Sequence, residues 1–125
     1  MTEQGYQSKI IKGIEAMGGV VVNGTYSKSG IADLICGWSK LEYNTQTGSM
    51  EPKLLHLHIE VKTKDAYERL FKHHITDVDG LYVVVDAFKG RERLQAFKLN
   101  DVRKRGGLAL FAYSMEQVED YVNSN

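Results

Sequence analysis

The 125-residue sequence has a single cysteine, Cys36, and a single proline, Pro52. One cysteine excludes an internal disulfide, so we expect a protein of a reducing compartment, the cytoplasm. An apolar run of about 18 residues, the signature of a membrane-spanning helix, does not occur. The N-terminal residues also lack the apolar core of a signal peptide, and we expect no membrane partner.

An excess of charge of one sign is also missing. The 16 Lys and Arg residues balance 16 Asp and Glu residues, which excludes a strongly basic, histone-like binder but leaves room for a locally basic groove. Apolar residues make up 42% and charged residues 26%, and this globular mixture argues against disorder across the chain. A chain of this length is expected to form a single domain over residues 1–125.

Hydrophobic periodicity predicts the elements of the first half of the chain. Apolar residues at helical spacing after Thr2 predict a helix that ends at the glycines 18–19. Apolar runs at 20–22 and 31–38 predict strands. The polar stretch 44–53 predicts an exposed hairpin loop.

The segment Leu54 to Thr63 alternates between apolar and polar residues from Leu55 to Lys62, which predicts a strand with one buried face. The next predicted element is a helix with apolar positions from Tyr67 to Val78, closed by Asp79-Gly80. A central strand at 81–88, a charged turn at 89–93 and a strand at 94–99 are predicted to follow it. The last predicted elements are a short helix at 100–105, a strand at 108–113 and a helix capped by Ser114 and Gln117. This order predicts an α/β fold with a central mixed β-sheet flanked by helices.

Three charged residues indicate a chemistry. Asp33 interrupts an apolar strand, while Glu60 and Lys62 lie two residues apart and therefore project from the same strand face. If the two strands are neighbours, the two carboxylates meet at the rim of the sheet. Paired carboxylates suit a hard divalent cation such as Mg²⁺, and a nearby ammonium group stabilises charge on a phosphorus centre or orients the attacking water. This set fits phosphodiester hydrolysis.

Plainer interpretations of these residues stay open at this point. A strand with one polar face is typical of a half-solvated sheet, and an aspartate in an apolar strand also serves as a structural hydrogen-bonding residue. The histidines of the same face, His56 and His58, form a pair that can ligate zinc, although no Cys or His cluster of the usual spacing accompanies them.

The segments GIADLI (Gly30 to Ile35) and IEVKT (Ile59 to Thr63) resemble the PD-(D/E)xK nuclease superfamily, and most closely its VRR-NUC branch, with archaeal-type Holliday junction resolvases close behind. An acid ahead of an apolar-Gln pair in the first helix, here Glu3 before Tyr6-Gln7, belongs to the same pattern. The resemblance covers Glu3 to about Phe88. It implies a restriction-endonuclease-like core and a metal-dependent endonuclease that hydrolyses DNA, on branched or structured substrates.

Carried over by position, the resemblance assigns a role to each matching residue. Asp33, Glu60 and the backbone carbonyl of Val61 would hold Mg²⁺ or Mn²⁺, and Lys62 would be the catalytic lysine. Glu3 would be an accessory catalytic acid. The expected DNA contacts are Gln7, Ser29, His58 and Lys64. A homodimer in the cytosol of a phage-infected or other bacterial host is expected, because relatives are often dimers and the domain is small.

Departures from the family pattern concern substrate positioning. Ala32 replaces the proline that precedes the acid, and the helix after IEVKT lacks the glutamine that many relatives carry. The residues from Phe88 to Arg105 include seven basic and two acidic residues, a local charge of +5 that would make DNA binding salt dependent. The alternative function, from another class, is a non-catalytic nucleic-acid-binding module of the same fold.

Overall fold

The structure is a computed structural model that describes residues 2–23 and 33–125. The described helices are α1 (Glu3–Ala16), α2 (Lys64–His73), α3 (Arg91–Lys104) and α4 (Met115–Ser124), and the described strands are β1 (Val20–Asn23), β2 (Leu34–Asn44), β3 (Ser49–Val61), β4 (Ile75–Val78), β5 (Leu81–Val84) and β6 (Leu108–Ala112). The predicted α/β class with a mixed sheet between helices is confirmed.

The main sheet has the strand order β1-β2-β3-β6. Strands β1 and β2 pair antiparallel, as do β2 and β3, whereas β6 runs parallel to β3. The chain between β3 and β6 contains α2, the small β4–β5 hairpin and α3, which together form the crossover that parallel strands require. Strand β3 is therefore central, with β2 on one side and β6 on the other.

The alternating pattern of β3 divides the core into two layers. Leu55, Leu57, Ile59 and Val61 are buried on one sheet face, in a cluster that also contains residues of α1 and α4. On the other face, α2, α3 and the β4–β5 hairpin enclose a second cluster around Phe111. Among the described residues, no helix is long and apolar enough to cross a lipid bilayer.

Side-chain caps begin three of the helices, as the sequence indicates for two of them. The Thr2 hydroxyl accepts a hydrogen bond from the Gly5 N–H at the start of α1, and the Ser114 hydroxyl accepts one from the Gln117 N–H at the start of α4. At the start of α2, the Thr63 hydroxyl accepts from the Ala66 N–H, so this helix begins directly after Lys62.

The hairpin loop predicted at 44–53 is shorter in the structure. Residues 45–48 form the turn, and β3 already begins at Ser49. Pro52 lies inside β3, opposite Leu41 of β2. A proline fits here because β6 pairs only with residues 57–61, so this part of β3 is a sheet edge with no partner on its other side among the described strands.

The second helix was predicted to reach Val78, which is wrong. Helix α2 ends at His73, and Ile75–Val78 is strand β4. Asp79 and Gly80 both have positive φ values, 52° and 80°, as a two-residue hairpin turn requires. Asp-Gly is a strong hairpin signal, but the apolar residues around it also matched a helical period.

The central strand predicted at 81–88 is only Leu81–Val84, and it pairs with β4 in a separate two-stranded sheet. The turn at 89–93 and the strand at 94–99 are also wrong, as is a separate helix at 100–105. A single helix, α3, covers Arg91–Lys104. Buried Ala96 and Leu99 repeat at helical spacing, and this period should have outweighed the expectation of a returning strand.

Candidate metal and phosphodiester site

Strand pairing brings Asp33 and Glu60 together at one end of the sheet. In the antiparallel register of β2 and β3, Leu34 lies opposite Ile59. One further step of the same register places Asp33 opposite Glu60, on the same face of the sheet. Asp33 Oδ2 also accepts a hydrogen bond of 3.0 Å from the Val61 N–H, which fixes its carboxylate beside β3. We refer to Asp33 and Glu60 as the acid pair.

Glu60 is in an environment that disfavours its charged form. Its side chain is 4% exposed, and its carboxyl group is in hydrogen-bonding contact with that of Asp33. Burial, together with the neighbouring Asp33 charge, raises the pKa of Glu60 to about 8. Among the described residues, Glu60 Oε2 has no hydrogen-bond partner. One oxygen of the buried Glu60 carboxyl group therefore lacks a hydrogen-bond donor among the described residues.

This donor set fits a hard divalent cation. A cation between the two carboxylates would balance their repulsion and satisfy the buried oxygen, and oxygen ligands are those that Mg²⁺ and Mn²⁺ prefer. Within residues 2–23 and 33–125, no group of three or more His, Cys, Asp or Glu side chains is close enough to hold a metal ion. The acid pair would supply two side-chain ligands to such a cation, and the other positions would fall to backbone or water.

Lys62 directly follows β3, and its side chain lies in a partly enclosed position. Its side chain is 8% exposed, and its Nζ atom lies 3.7 Å from Glu92 Oε1 and 6.0 Å from the centre of the Phe111 ring. The Lys62 charge is near enough to Glu60 to oppose the rise in the Glu60 pKa. The Lys62 ammonium group therefore lies between Glu92 and the Phe111 ring, on the sheet face that carries Glu60.

Two site residues were missed by the sequence analysis because both lie on α3. Glu92 pairs with Lys62, and the Arg91 charge lowers the pKa of Glu60 against the stronger effect of burial. Both belong to the first helical turn, which follows Gly90. The sequence does indicate a helix here, because Glu92 lies at the start of a helical period that ends in Arg103 and Lys104. An acid in the first turn and bases in the last turn stabilise a helix through its dipole.

His58 lies two residues before Glu60 on the same face of β3. It is half-buried, and burial together with the nearby His56 lowers its pKa, which favours the neutral imidazole. A neutral imidazole both donates and accepts hydrogen bonds, so it suits contact with a polar substrate. Lys64 is exposed at the first position of α2, two residues after Lys62.

The remaining predicted site residues are Glu3 and Gln7 on α1, Val61 at the end of β3, whose N–H donates to Asp33, and Ser29. Glu3 is exposed in the first turn of α1, and Gln7 is half-buried one turn later. The Val61 side chain is buried in the core, so any ligand role falls to its backbone carbonyl. Ser29 lies outside the described residues. The roles of these four residues stay predictions.

The basic segment from Phe88 to Arg105 is mostly α3, and two of its cations are structural. Arg103 Nε donates to the Ala109 carbonyl at 2.6 Å, and Arg103 also pairs with Asp77 at 3.2 Å. Arg93 donates to two backbone carbonyls near Phe88. The five exposed cations that remain are Lys89, Arg91, Lys98, Lys104 and Arg105.

Two further residues, Cys36 and Trp38, belong to the core. Cys36 is 1% exposed, and burial raises its pKa to about 11, so it is a poor nucleophile. Trp38 is buried as well, which excludes it as a surface for stacking bases. Tyr43 is exposed on β2, while Tyr26 lies outside the described residues.

A comparison of this chain with protein families, curated proteins and solved structures finds no match.

Proposed function

We propose that this protein is a divalent-metal-dependent endonuclease that hydrolyses DNA phosphodiester bonds, on branched or otherwise structured DNA. The observation that carries the proposal is the acid pair. Asp33 and Glu60 come from distant parts of the sequence and meet at one sheet end, where Glu60 keeps a buried, unpartnered oxygen among the described residues. Proteins rarely retain such a group without a functional reason.

The residues that would hold the cation are Asp33, Glu60 and, by the family resemblance, the Val61 carbonyl. A bound Mg²⁺ or Mn²⁺ would supply Lewis-acid activation of a water molecule and of the phosphate. The chain's own contribution is to hold two carboxylates at the rim of a rigid sheet. The hydrogen bond from the Val61 N–H to Asp33 fixes one carboxylate, and its place in β3 fixes the other.

Lys62 would bind a non-bridging phosphate oxygen or orient the attacking water. Its ammonium group is almost fully buried and is paired on one side with Glu92, so the amine is held in one region and not spread over many rotamers. Glu92 is therefore a positioning residue for Lys62 within this proposal. In a site of low dielectric, such a charge stabilises the developing negative charge strongly.

A restriction-endonuclease-like core of the VRR-NUC branch, a cytoplasmic location and a homodimer belong to the same proposal. The mixed sheet with Asp33 at the start of β2 and Glu60 near the end of β3 supports the core. Large apolar side chains that are more than half exposed support a dimer, because they share the sheet face of the acid pair: Val20, Val22, Leu41, Tyr43, Met50 and Leu54.

The test is a cleavage assay with a four-way DNA junction and supercoiled plasmid, in Mg²⁺, in Mn²⁺ and in EDTA. We expect cleavage of both substrates with either metal and none in EDTA, with the junction cleaved faster. A mobility shift of the junction without cleavage in either metal would contradict the enzyme and favour the non-catalytic nucleic-acid-binding module. A metal analysis of the purified protein that finds bound zinc would favour the His56 and His58 interpretation instead.

A further inference from the structure

Three cations are placed at regular intervals along α3 and its C-cap residue, Arg105. Arg91, Lys98 and Arg105 are seven residues apart, and all three are exposed. Seven residues are nearly two helical turns, so the three side chains lie in one row, about 10 Å apart along the axis. We refer to Arg91, Lys98 and Arg105 as the cationic row.

The cationic row begins beside the acid pair. Glu92, the neighbour of Arg91 in the chain, is the ion-pair partner of Lys62, with 3.7 Å between Glu92 Oε1 and Lys62 Nζ. The first turn of α3 therefore borders the end of β3 that carries the candidate site.

The other end of the row borders the opposite part of β3. Arg105 lines a cavity of about 660 Å³, and the polar face of β3 contributes His56 and His58 to the same cavity. Other lining residues relevant to a ligand are Lys53, Leu54 and Val102. This volume lies within the range of sites that bind small organic molecules, about 300 to 1,000 Å³.

The row and the polar face of β3 have matching lengths. From Glu60 back to Leu54 the same face presents Glu60, His58, His56 and Leu54, a span of about 20 Å in a strand. The 14 residues of α3 also span about 21 Å. The two ends of α3 lie near the two ends of this span, and we refer to the surface between helix and strand as the α3–β3 groove.

We propose that this groove is a binding track for one DNA strand adjoining the scissile phosphate, with its phosphates on the cationic row and a base in the cavity beside His56. The inference rests on the proposed function for the identity of its ligand. Positive side chains along one line neutralise part of the repeating negative charge of a nucleic-acid backbone. Apolar lining from Leu54 and Val102 suits the base of the same nucleotide, which a free inorganic anion would not need.

The other charges on α3 make the assignment specific. Asp101 is exposed between Lys98 and Arg105 and lies near the row on the helix surface. Lys104 is equally exposed, but its position on the helical wheel is about 100° away from that of Arg105. The Asp101 carboxylate should weaken DNA binding by repulsion, whereas loss of the Lys104 charge should leave DNA binding unchanged.

The experiment measures binding of a fluorescein-labelled single DNA strand of about 12 nucleotides by fluorescence anisotropy, in EDTA, over a series of salt concentrations. For the double variant Lys98→Ala/Arg105→Ala we expect about tenfold weaker binding and a salt slope lowered by about 1.4, the loss of two phosphate contacts. Asp101→Asn should bind about threefold more tightly.

The matched control is Lys104→Ala, which removes the same charge from the same helix outside the row. Unchanged binding by the double variant, an equal loss in the control, or no binding by the wild-type protein would overturn the track. Because the measurement needs no metal and no cleavage, its failure leaves the nuclease proposal untouched. Conversely, if the protein binds the DNA strand through the cationic row but cleaves no DNA with either metal, the nuclease proposal is overturned and the binding track is not.

Discussion

Replacement of Lys62 by methionine is expected to lower the rate of metal-dependent DNA cleavage by about 100-fold to 10,000-fold, the range for loss of one acid–base or charge-stabilising group. Methionine keeps most of the volume beside Phe111 and removes only the ammonium group. Since Glu92 is 31% exposed, it can be solvated once its partner is gone, and we expect little change in folding stability. Single-turnover cleavage of a four-way junction measures the effect.

The matched control for this variant is Lys72→Met on the exposed side of α2. Lys72 is far along the helix from the site and should be replaceable without loss of activity. If Lys62→Met cleaves as fast as the wild-type protein while both variants fold normally, Lys62 has no part in the reaction, and the proposed arrangement of site residues is wrong.

The second large effect concerns the pH dependence of stability without divalent cations. In the unfolded chain Glu60 titrates near its ordinary pKa of 4.5, whereas in the folded protein its pKa is raised to about 8. Between these values the folded state binds the additional proton, so the free energy of unfolding falls as the pH rises. The stabilising contribution is fully present below about pH 4.5 and is lost once the pH exceeds about 8.

Glu60→Gln isolates this contribution because glutamine has the same shape and no titration. In EDTA, urea unfolding should show the variant gaining stability relative to the wild-type protein as the pH rises from about 4.5 to about 8, by a few kcal/mol in total. Mn²⁺ should stabilise the wild-type protein more at pH 8 than at pH 5, since protons compete for the carboxylates. A difference between the two proteins that does not vary with pH would contradict the raised pKa.

The strand that carries Glu60 and Lys62 was predictable because local pattern and tertiary environment agree. Leu55, Leu57, Ile59 and Val61 alternate without exception, and each is buried as that alternation indicates. The same holds for the capped ends of α1 and α4, where a hydroxyl at the right position is sufficient.

The segment between residues 74 and 99 was not predictable in the same way. Short elements there owe their form to packing partners that are distant in the sequence. Asn100 of α3, for example, donates to and accepts from the backbone of Tyr82, and so holds the β4–β5 hairpin against the helix. A side-chain contact of this kind leaves no periodic signal in either segment.

The residues of the candidate site also differ in whether the sequence alone could identify them. Asp33 and Glu60 were identifiable because an acid inside an apolar strand is unusual, and strand neighbours bring such residues together. Glu92 and Arg91 were not, because their approach depends on a helix that the sequence analysis had placed as a turn and a strand. The contribution of α3 to the site is visible only once the crossover between β3 and β6 is built.

The central claim is that Asp33 and Glu60 bind one divalent cation between them. Crystals soaked in Mn²⁺ test it most directly, by anomalous diffraction at the manganese absorption edge. The account predicts an anomalous peak within coordination distance of a carboxylate oxygen of each residue, absent in Asp33→Asn crystals treated in the same way. A well-ordered structure with both carboxylates free of metal at saturating Mn²⁺, or with manganese bound elsewhere only, would contradict it.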